Sequence, residues 1–474
     1  MLFRVGEWDL YAARIFGSTA AMQVPVMLLL LFSGTSESFL DASLSALLLS
    51  LTFAAGVWGS ILVYRAFFHR LTRFPGPFAA RLSNIYLTLL SVRHFQLFEE
   101  IQALHQKYGD IVRAQGSSQL RILKHFTLFT MLNPSMYTKQ LITKIDASQG
   151  SSLNIATWFN FYSFDVMGDL AFGKGFEMLK DGVAHYFMEL SHSGIKSVAA
   201  FSHLVWIFPL LKTVPVLNTQ HLRFQAWLAE RVRLRRELKL EAPDVFSWIL
   251  ADYEQIENPT AQDTLNLHGD AHVIVVAGSD TTAASLTCLF FELATHPTVL
   301  KSLQEELDAH FFNGGELSYP SLSKLRYLQA CINETLRMHP AIPSGLQRMT
   351  PPEGLRIGDI WIPGNTIVKV PTHTLQRDER AFIEPNTFIP ERWTSKPELI
   401  KDASAFAPFS MGRYSCVGKQ LALMELSRVT TEVIFKYNIE LAPSQTKEAF
   451  LKAIKDTFTM ATSTLNLVFQ RRGS

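Results

Sequence analysis

The segment Phe409-Ser-Met-Gly412-Arg413-Tyr414-Ser-Cys416-Val-Gly418 sets one cysteine between two glycines, directly before an apolar helical pattern. Glycines on both sides of a sulfur let the backbone turn sharply and lie close against a flat group. A single thiolate without partner ligands suits heme iron, because zinc normally takes three or four Cys or His ligands. The other cysteines, Cys288 and Cys331, lie far upstream with no zinc-like spacing. A buried cysteine acting as a small hydrophobic residue explains this segment, taken alone, equally well.

Three further motifs occur upstream of this segment, in the order Ala277-Gly278-Ser279-Asp280-Thr281-Thr282, Glu334-Thr-Leu-Arg337 and Pro390-Glu391-Arg392-Trp393. Together with the cysteine segment they make the chain resemble the cytochrome P-450 family of heme-thiolate monooxygenases. The resemblance is almost continuous over residues 268–470 and weaker over 74–108 and 164–176. Residues 164–173, with 409–424, are similar to microsomal members from filamentous fungi that tailor secondary metabolites.

The resemblance implies a mostly α (α+β) fold, in which a helical heme domain carries a small β-rich part. Apolar residues at helical spacing independently predict helices at 95–108, 154–170, 184–197, 221–240, 243–255 and 263–295. Short β-rich pieces separated by Gly and Pro predict a small sheet over 354–367. Length alone would suggest two or three domains, and the resemblance favours one large domain.

The composition permits a large catalytic domain. Of 474 residues, 48% are hydrophobic, which is enough to bury a sizeable core. A formal net charge of +2 argues against a nucleic-acid-binding protein, so we expect no nucleic-acid partner. Three widely spaced cysteines provide no disulfide framework, and they favour a domain that faces the reducing cytosol.

The N-terminus contains two uncharged stretches. Residues 44–64 form a Leu/Ala-rich run, and about 20 apolar residues are needed to cross a bilayer as a helix. Residues 15–32 are also uncharged but include Pro25, so they form a second span, an interfacial segment or part of a signal sequence. The first of these interpretations gives the protein two membrane spans, and the other two give it one.

The charges around these stretches predict their orientation. The segment between the two stretches has no Lys or Arg, whereas three arginines follow the second stretch: Arg65, Arg70 and Arg73. By the positive-inside tendency the rest of the chain is cytoplasmic. Prolines in Phe74-Pro75-Gly76-Pro77 cannot continue the anchor helix. We therefore predict a membrane anchor over residues 1–73 and a heme domain over 74–474, and the resemblance implies the endoplasmic reticulum membrane.

The predicted helix over 263–295 carries Asp280 and Thr281 in an apolar surrounding. An unpaired buried carboxylate is costly, and Gly278 weakens a helix by about 1 kcal/mol relative to Ala, so both need a reason. The resemblance implies that the helix is distorted here to leave room for dioxygen, and that Asp280 and Thr281 deliver protons during oxygen activation. The alternative is a Thr281 hydroxyl bonded back to the preceding helical turn.

Glu334 and Arg337 are three residues apart and therefore share one helix face. An exposed pair of this kind contributes only ~0–1 kcal/mol. The helix is apolar on either side of the pair, which predicts burial. A buried pair needs further hydrogen-bond partners, and a third charged residue such as Arg392 supplies them. The resemblance implies a structural network of these three residues around the heme.

The resemblance implies heme b as the cofactor, with Cys416 as the axial thiolate ligand of its iron. Phe409 would pack on the heme near the sulfur, while Gly412 and Gly418 would allow the loop to fold beneath it. The substrate pocket would lie on the opposite face of the heme and include Ala277 and residues 342–346.

Two departures from the family pattern affect the functional prediction. Tyr414 lies two residues before the cysteine, where the family usually places Arg or His against a heme propionate. Arg348, in Gln347-Arg348-Met-Thr, matches another basic residue of the family, and the resemblance implies that it binds a propionate together with Tyr414. The interval 109–163 is several tens of residues shorter than usual and contains no Trp-x-x-x-Arg helix. A catalytically impaired or inactive P-450-like protein is therefore one alternative. A heme isomerase or dehydratase is another, although it would not need Asp280 and Thr281.

The resemblance implies a heme-dependent monooxygenase that inserts one atom of O2 into an apolar small molecule. It further implies a tailoring step, a hydroxylation or related oxidation, in fungal secondary-metabolite biosynthesis. No glycine-rich dinucleotide fingerprint follows a predicted strand, so electrons must come from a separate protein, which the resemblance identifies as NADPH–cytochrome P-450 reductase. We expect this partner to dock near Cys416, where positive charge would come from Arg413, Lys419 and Arg428.

Overall fold

The computed structural model describes residues 12–114, 135–204, 206–238 and 244–473. Most of these residues are helical. The helices up to residue 260 are α1 (Ala12–Ala21), α2 (Gln23–Phe32), α3 (Phe39–Val63), α4 (Phe78–Leu82), α5 (Ile85–His94), α6 (Leu97–Tyr108), α7 (Ser135–Ala147), α8 (Ile155–Phe172), α9 (Met178–Asp181), α10 (Tyr186–Phe201), α11 (Ile207–Thr213), α12 (Pro215–Glu237) and α13 (Val245–Glu254). The later helices are α14 (Ala261–Thr295), α15 (Pro297–Phe312), α16 (Tyr319–Leu322), α17 (Arg326–Met338), α18 (Thr372–Leu375), α19 (Lys419–Lys436) and α20 (Lys447–Ala453).

The strands are short and antiparallel. They are β1 (Leu153–Asn154), β2 (Gln347–Met349), β3 (Leu355–Ile357), β4 (Ile360–Ile362), β5 (Ile367–Lys369), β6 (Tyr437–Leu441), β7 (Lys455–Thr457), β8 (Thr459–Ala461) and β9 (Asn466–Arg471). One sheet has the order β1-β9-β6, and the other strands pair as β2-β5, β3-β4 and β7-β8. In the β2-β5 pair, Arg348 lies opposite Val368 and Gln347 lies opposite Lys369.

These elements confirm the predicted fold class, which is mostly α with small sheets. Each helix predicted from apolar spacing has a counterpart whose ends differ by a few residues, as α8 and α14 illustrate. The sheet predicted over 354–367 is the β3-β4 hairpin followed by the start of β5. The middle of the interval 109–163, residues 115–134, lies outside the described residues.

The centre of the domain is the pair of helices α14 and α8. Residues of both helices are almost entirely buried over their shared length, and the rings of Phe159 and Phe290 meet edge to face at 4.9 Å. A Cβ added at Gly278 would lie 2.5 Å from the Met167 sulfur, so this glycine allows α8 to approach α14 closely. α14 ends at Thr295, because Pro297 disfavours helical backbone angles at the preceding residue, His296. The α14 helix is thereby held in the core, where its central residues border the cavity described below.

The N-terminal helices lie outside this core. The apolar helix Phe39–Phe68, formed by α3 and a following π turn, is 30 residues long, and only 6% of its apolar 18-residue stretch is buried, so it is suited to a membrane anchor. α14 is also long and apolar, but 67% of its apolar 18-residue stretch is buried, which identifies it as a core helix. α1 and α2 have 10 residues each. Each is therefore about 15 Å long at ~1.5 Å per residue, half the thickness of a bilayer core.

Candidate active site

A cavity of about 1360 Å³ lies between α14 and the loop that precedes α19. Thr281 borders it from α14, Cys416 borders it from the loop, and strand β5 forms part of its side. Small-molecule pockets commonly have volumes of ~300–1,000 Å³, so this cavity has room for a flat cofactor and a second molecule. Residues expected for the substrate pocket also line it, among them Ala277, Ile342 and Leu346.

Cys416 lies at the end of a tight backbone turn on the cavity wall. Its N–H donates to the Phe409 carbonyl oxygen at 2.8 Å, and a short 3₁₀ turn spans Gly412–Tyr414 between them. The thiol is accessible from the cavity. Burial below the outer surface raises the pKa of this thiol, while hydrogen bonds from the backbone N–H groups of Gly418 and Lys419 lower it. Such donors favour the thiolate, which is the form that binds a metal.

The two glycines of this loop serve different purposes. Gly412 has φ +70°, in the left-handed region, and a Cβ at this position would meet nothing within 4 Å. Its requirement for glycine is therefore conformational. Gly418 has φ −82°, which any residue adopts, so the expectation that its backbone freedom shapes the loop does not match the structure. A Cβ at Gly418 would lie 3.9 Å from the Cys416 sulfur, at van der Waals contact distance.

Arg348 and Tyr414 meet at the edge of the cavity. The guanidinium carbon of Arg348 lies 5.0 Å from the centre of the Tyr414 ring, and that of Arg413 lies 5.7 Å from it. Within the described residues the Arg348 side chain makes one hydrogen bond, from Nη1 to the Gln347 carbonyl oxygen at 3.0 Å. A guanidinium has five N–H donors, so most of those of Arg348 remain for an anion.

These residues fit a heme. Cys416 offers one sulfur ligand, the cavity beside it is large, and Arg348 offers donors for a carboxylate at its edge. Within the described ranges no group of three or more His, Cys, Asp or Glu could hold a bare metal ion. An iron whose other ligands come from its own macrocycle therefore suits this lone thiol better than zinc does.

Asp280 and Thr281 point to different surroundings. The Thr281 side chain borders the cavity, but its hydroxyl donates to the Ala277 carbonyl oxygen of the preceding turn at 2.7 Å. Asp280 is buried, and its Oδ1 lies 3.0 Å from Nε2 of His192 on α10. α14 is an uninterrupted α-helix over Ala261–Thr295, and Gly278 gives it a close contact with the Met167 side chain of α8.

Glu425 is a further acid at the cavity, and sequence reasoning missed it. Burial raises the pKa of Glu425 to about 8, although a hydrogen bond from Thr282 acts in the opposite direction. Its Oε1 is buried without a partner among the described residues. A carboxyl with this pKa is mostly protonated at neutral pH and can donate a proton. The signal available in the sequence was an acid between the apolar residues Met424 and Leu426, nine positions after the cysteine.

The predicted charge network is present and fully buried. Glu334 accepts hydrogen bonds from Arg337 Nε and Nη2 at 2.9 and 2.8 Å, and from Arg392 Nε at 2.9 Å. The three side chains are 0% exposed. Trp393 Nε1 also donates to Glu334, at 2.9 Å, a contact that sequence reasoning did not foresee. The remaining arginine donors reach backbone carbonyl oxygens, so the pair avoids the penalty of unsatisfied buried charge.

The charges expected to attract an electron donor are not equivalent. Arg413 and Lys419 are exposed next to Cys416. Arg428 is only 18% exposed, and its Nε donates to Glu432 one helical turn later at 2.8 Å. The prediction that Arg428 supplies surface charge is therefore wrong, because its charge is already paired and mostly shielded from solvent.

Comparison with known proteins agrees with this geometry. Residues 121–469 match the family model for cytochrome P-450. A cytochrome P-450 monooxygenase of Fusarium pseudograminearum is 46% identical, over 99% of this chain and 95% of the relative. A cytochrome P-450 monooxygenase of Eupenicillium brefeldianum is 41% identical, over 88% of this chain and 94% of the relative. Tryprostatin B 6-hydroxylase of Aspergillus fumigatus is 32% identical, over 99% of this chain and 94% of the relative.

The crystal structure of the cytochrome P-450DA heme domain has the same fold, with a TM-score of 0.60 at 19% identity over 72% of each chain. The alignment with the Fusarium relative extends over 524 positions, whereas this chain has 474 residues, so at least 50 positions have no counterpart here. Despite this difference, the family model still matches residues 121–469, and the Fusarium relative aligns with 99% of this chain. The chain therefore belongs to the cytochrome P-450 family of heme-iron monooxygenases.

Proposed function

We propose that this chain is a membrane-anchored heme-thiolate monooxygenase that inserts one atom of O2 into an apolar small molecule. The position of Cys416 carries the proposal. Its sulfur borders a cavity of about 1360 Å³ and receives two backbone N–H groups, and Arg348 and Tyr414 lie at the edge of the same cavity. This arrangement combines one metal ligand, space for a flat cofactor and donors for its acidic groups.

The proposed cofactor is heme b, held by the residues that border the cavity. Cys416 would bind the iron as a thiolate, and Phe409 would pack beside it on the same face. Arg348 and Tyr414 would donate hydrogen bonds to the propionates, while the missing side chain of Gly418 leaves room next to the sulfur. When bound, the heme supplies the electron transfer and O2 cleavage that amino-acid side chains cannot provide.

Protons would reach the cavity through α14. His192 has a side chain that is 39% exposed and can exchange protons with water, and its Nε2 lies 3.0 Å from Asp280 Oδ1. Asp280 would pass a proton toward Thr281, the neighbouring residue at the cavity wall. This transfer requires the Thr281 hydroxyl to exchange its bond to the Ala277 carbonyl oxygen for one directed into the cavity.

We propose that the reaction is a hydroxylation or related oxidation that tailors a fungal secondary metabolite. Similarity to tryprostatin B 6-hydroxylase, at 32% identity over 99% of this chain, supports this step. The mainly apolar residues along the cavity, such as Val273, Ile274 and Leu346, suit a small molecule with a large apolar body.

The proposed electron donor is NADPH–cytochrome P-450 reductase, and the proposed location is the endoplasmic reticulum membrane with the heme domain in the cytoplasm. The exposed apolar helix Phe39–Phe68 supports an anchor. Arg413 and Lys419 provide the exposed positive charge next to Cys416. Replacing both by Glu should slow reduction by the reductase most strongly at low salt, and an unchanged rate would refute this docking face.

A catalytically impaired P-450-like protein is the second candidate. One observation favours it, namely the 50 or more alignment positions that have no counterpart in this chain. We propose that the missing positions belong to the interval 109–163. Sequencing the transcript tests this directly, because an additional exon between Arg113 and Asn154 would remove the main support for impaired activity.

Isotope labelling tests the proposed reaction. The full-length chain would be produced in yeast membranes together with the reductase and incubated with NADPH, tryprostatin B and a panel of apolar metabolites under ¹⁸O2. A monooxygenase should yield a product that carries one labelled oxygen atom and is absent with Cys416→Ser. Heme-loaded protein that is reduced by its partner, yet yields no labelled product from any compound and releases only peroxide, would favour the impaired candidate.

A further inference from the structure

Three arginines from separate parts of the chain meet where the exposed apolar helix joins the rest of the molecule. Arg65, Arg81 and Arg113 lie in the π turn after α3, in α4 and beyond the end of α6, respectively. Arg65 Nη1 donates to the Leu82 carbonyl oxygen at 3.0 Å. Arg113 Nη2 donates to the neighbouring Arg81 carbonyl oxygen at 3.4 Å. The last two carbonyl oxygens of α4 therefore bring these side chains together, and we call the three residues the arginine cluster.

Arg113 is the most deeply buried member of the arginine cluster. It is 5% exposed, and its Nε and Nη1 have no hydrogen-bond partner among the described residues. The Nε atom of Arg81 is also buried without such a partner. A guanidinium carries five N–H donors and no acceptor, and a buried donor that stays unsatisfied is costly. The cluster thus holds several donors whose acceptor must come from elsewhere.

No carboxylate among the described residues neutralises the arginine cluster. Burial, followed by the charges of Arg81 and Arg65, lowers the pKa of Arg113 to about 10, so its guanidinium stays charged at neutral pH. Asp110 is the acid nearest to Arg113 along the chain, but it forms an ion pair of 2.7 Å with an exposed arginine elsewhere. Residues 115–134, which follow closely, contain no Asp or Glu. The charges that act on Arg113 are therefore all positive.

His69 lies beside the same charges. Burial, followed by three positive charges, lowers the pKa of His69 to about 4, and these charges are those of Arg113, Arg70 and Arg65. The ring is therefore neutral. Its Nδ1 accepts a hydrogen bond from the Leu71 backbone N–H at 3.2 Å, which leaves the ring proton on Nε2 as a further donor. Cations and neutral donors without an acid form a site that favours an anion.

The surface next to the arginine cluster is apolar. Phe67 and Phe68, in the same π turn as Arg65, are 66% and 72% exposed, and Phe78, at the start of α4, is 56% exposed. α4 packs against the π turn, so these rings surround the point where the three arginines meet. The apolar helix that ends here is suited to cross a membrane. Aromatic side chains and anionic lipid head groups are both typical of the membrane surface at such a helix end.

We propose that the arginine cluster binds the phosphate group of an anionic membrane lipid. Phosphate suits it because the planar guanidinium fork matches phosphate oxygens, and basic pockets beside membrane helices bind such head groups. A free phosphate ion presents the same oxygens, but only a lipid also has acyl chains to lie against Phe67, Phe68 and Phe78. The inference goes beyond the proposed function and holds equally for the impaired candidate, because no member of the cluster borders the cavity.

Native mass spectrometry of the full-length protein, in detergent micelles and with the heme it carries when purified, tests the site. The probes are dioctanoyl phosphatidic acid, dioctanoyl phosphatidylcholine, whose choline balances its phosphate, and inorganic phosphate. One phosphatidic acid should bind on the order of tenfold to a hundredfold tighter than either other probe. Arg113→Gln and Arg65→Gln should abolish this preference. Arg73→Gln, which removes an exposed charge from the same juxtamembrane segment, should retain it.

Three results of this titration would overturn the inference. Equal affinity for the two lipids would show that the arginine cluster does not recognise an anionic head group. Inorganic phosphate that binds as tightly as phosphatidic acid would assign the cluster to a soluble anion. A preference that is lost as completely with Arg73→Gln as with Arg113→Gln would assign it to the overall charge of the segment.

Thermal unfolding separates lipid binding from a structural role of Arg113. Without lipid, Arg113→Gln should melt at the wild-type temperature or above it, because the variant removes a buried charge that has no counter-ion. Saturating phosphatidic acid should raise the melting temperature of the wild type by about 3 °C and leave that of Arg113→Gln unchanged. A clear fall for Arg113→Gln without lipid would show that Arg113 stabilises the fold through the Arg81 carbonyl oxygen, and would overturn the inference.

Discussion

The cavity wall that carries Cys416 differs from the wall that carries Thr281 in how it uses its polar groups. Around Cys416, the backbone N–H groups of Gly418 and Lys419 point to the sulfur, and the thiol is accessible from the cavity. On α14, the Thr281 hydroxyl donates to the Ala277 carbonyl oxygen of the same helix, and the Asp280 carboxylate is hydrogen-bonded to His192. The Cys416 wall thus already presents the sulfur that the proposed heme needs, whereas the proposed proton delivery would require Thr281 and Asp280 to change their hydrogen bonds.

This contrast follows from local backbone geometry. A loop can aim several N–H groups at one atom, because none of them is needed for a regular hydrogen-bond ladder. A regular helix leaves a threonine hydroxyl little choice except to bond the carbonyl oxygen four residues earlier or to face solvent. The loop can therefore direct donors to the Cys416 sulfur through its own fold, while the Thr281 hydroxyl is bonded within α14.

The largest expected effect concerns the buried charge network of Glu334, Arg337 and Arg392. Glu334→Gln should destabilise the protein by about 3–5 kcal/mol, because Arg337 and Arg392 would be left as buried charges without a carboxylate. Urea unfolding followed by circular dichroism measures this change. The exposed Glu398→Gln is the matched control and should alter stability very little. A loss below about 1 kcal/mol, the range of exposed pairs, would contradict the structural role of the network.

The next effect concerns the wall of α14. Asp280→Asn should lower product formation by about a hundredfold, the lower range for general acid–base catalysis, and should leave heme binding unchanged. His192→Gln should have the same direction with a smaller effect, since water can still reach Asp280. Turnover and released peroxide are measured together, with Asp359→Asn on an exposed hairpin as the control. Unchanged turnover in Asp280→Asn would show that protons reach the cavity by another route.

Glu425 provides a pH test at the boundary between the two walls. Its pKa rises from 4.5 to about 8 on folding, so the folded protein binds one more proton than the unfolded chain between these values. Stability should therefore be fully present below pH 4.5 and fall as the pH rises toward 8, with a slope of at most about 1.4 kcal/mol per pH unit. Glu425→Gln should flatten this slope in urea unfolding at pH 5 and 8, and exposed Glu448→Gln should not.

The smallest effect distinguishes the two glycines of the cysteine loop. Gly412→Ala should cost about 1–2 kcal/mol without any ligand, because φ +70° is unfavourable for a residue with a Cβ. Gly418→Ala should hardly change that stability but should weaken heme binding, since its Cβ would lie beside the sulfur. Unfolding of the ligand-free protein and heme titration separate the two. If the two variants behaved equally in both measurements, Gly412 would not be required for its backbone conformation and Gly418 for the space beside the sulfur.

The sequence predicted those parts of the site that depend on neighbours in the chain. The Cys416 turn is closed by Phe409 seven residues earlier, and Glu334 pairs with Arg337 on the same helix. The helical fold class was also accessible, because apolar spacing records which face of each helix is buried. Arg392 was placed in the network only through the family resemblance, since nothing local ties it to residue 334.

The parts that the sequence did not reveal depend on contacts between distant elements. His192 reaches Asp280 from a helix 88 positions earlier, and neither residue has a local pattern that names the other. Arg428 was predicted to supply surface charge, because the sequence alone does not show that its side chain pairs with Glu432. Gly278 has a packing reason, its close contact with the Met167 side chain, that only the folded structure shows.

The absorption spectrum of the reduced, carbon-monoxide-bound protein tests the central claim most directly. We expect the wild type to show a Soret band at the position typical of a thiolate ligand. The band should be retained in Cys288→Ala and lost in Cys416→Ser, with all three proteins folded. A wild type that folds without binding heme, or a thiolate-type band that persists in Cys416→Ser, would contradict the assignment of Cys416 as the iron ligand.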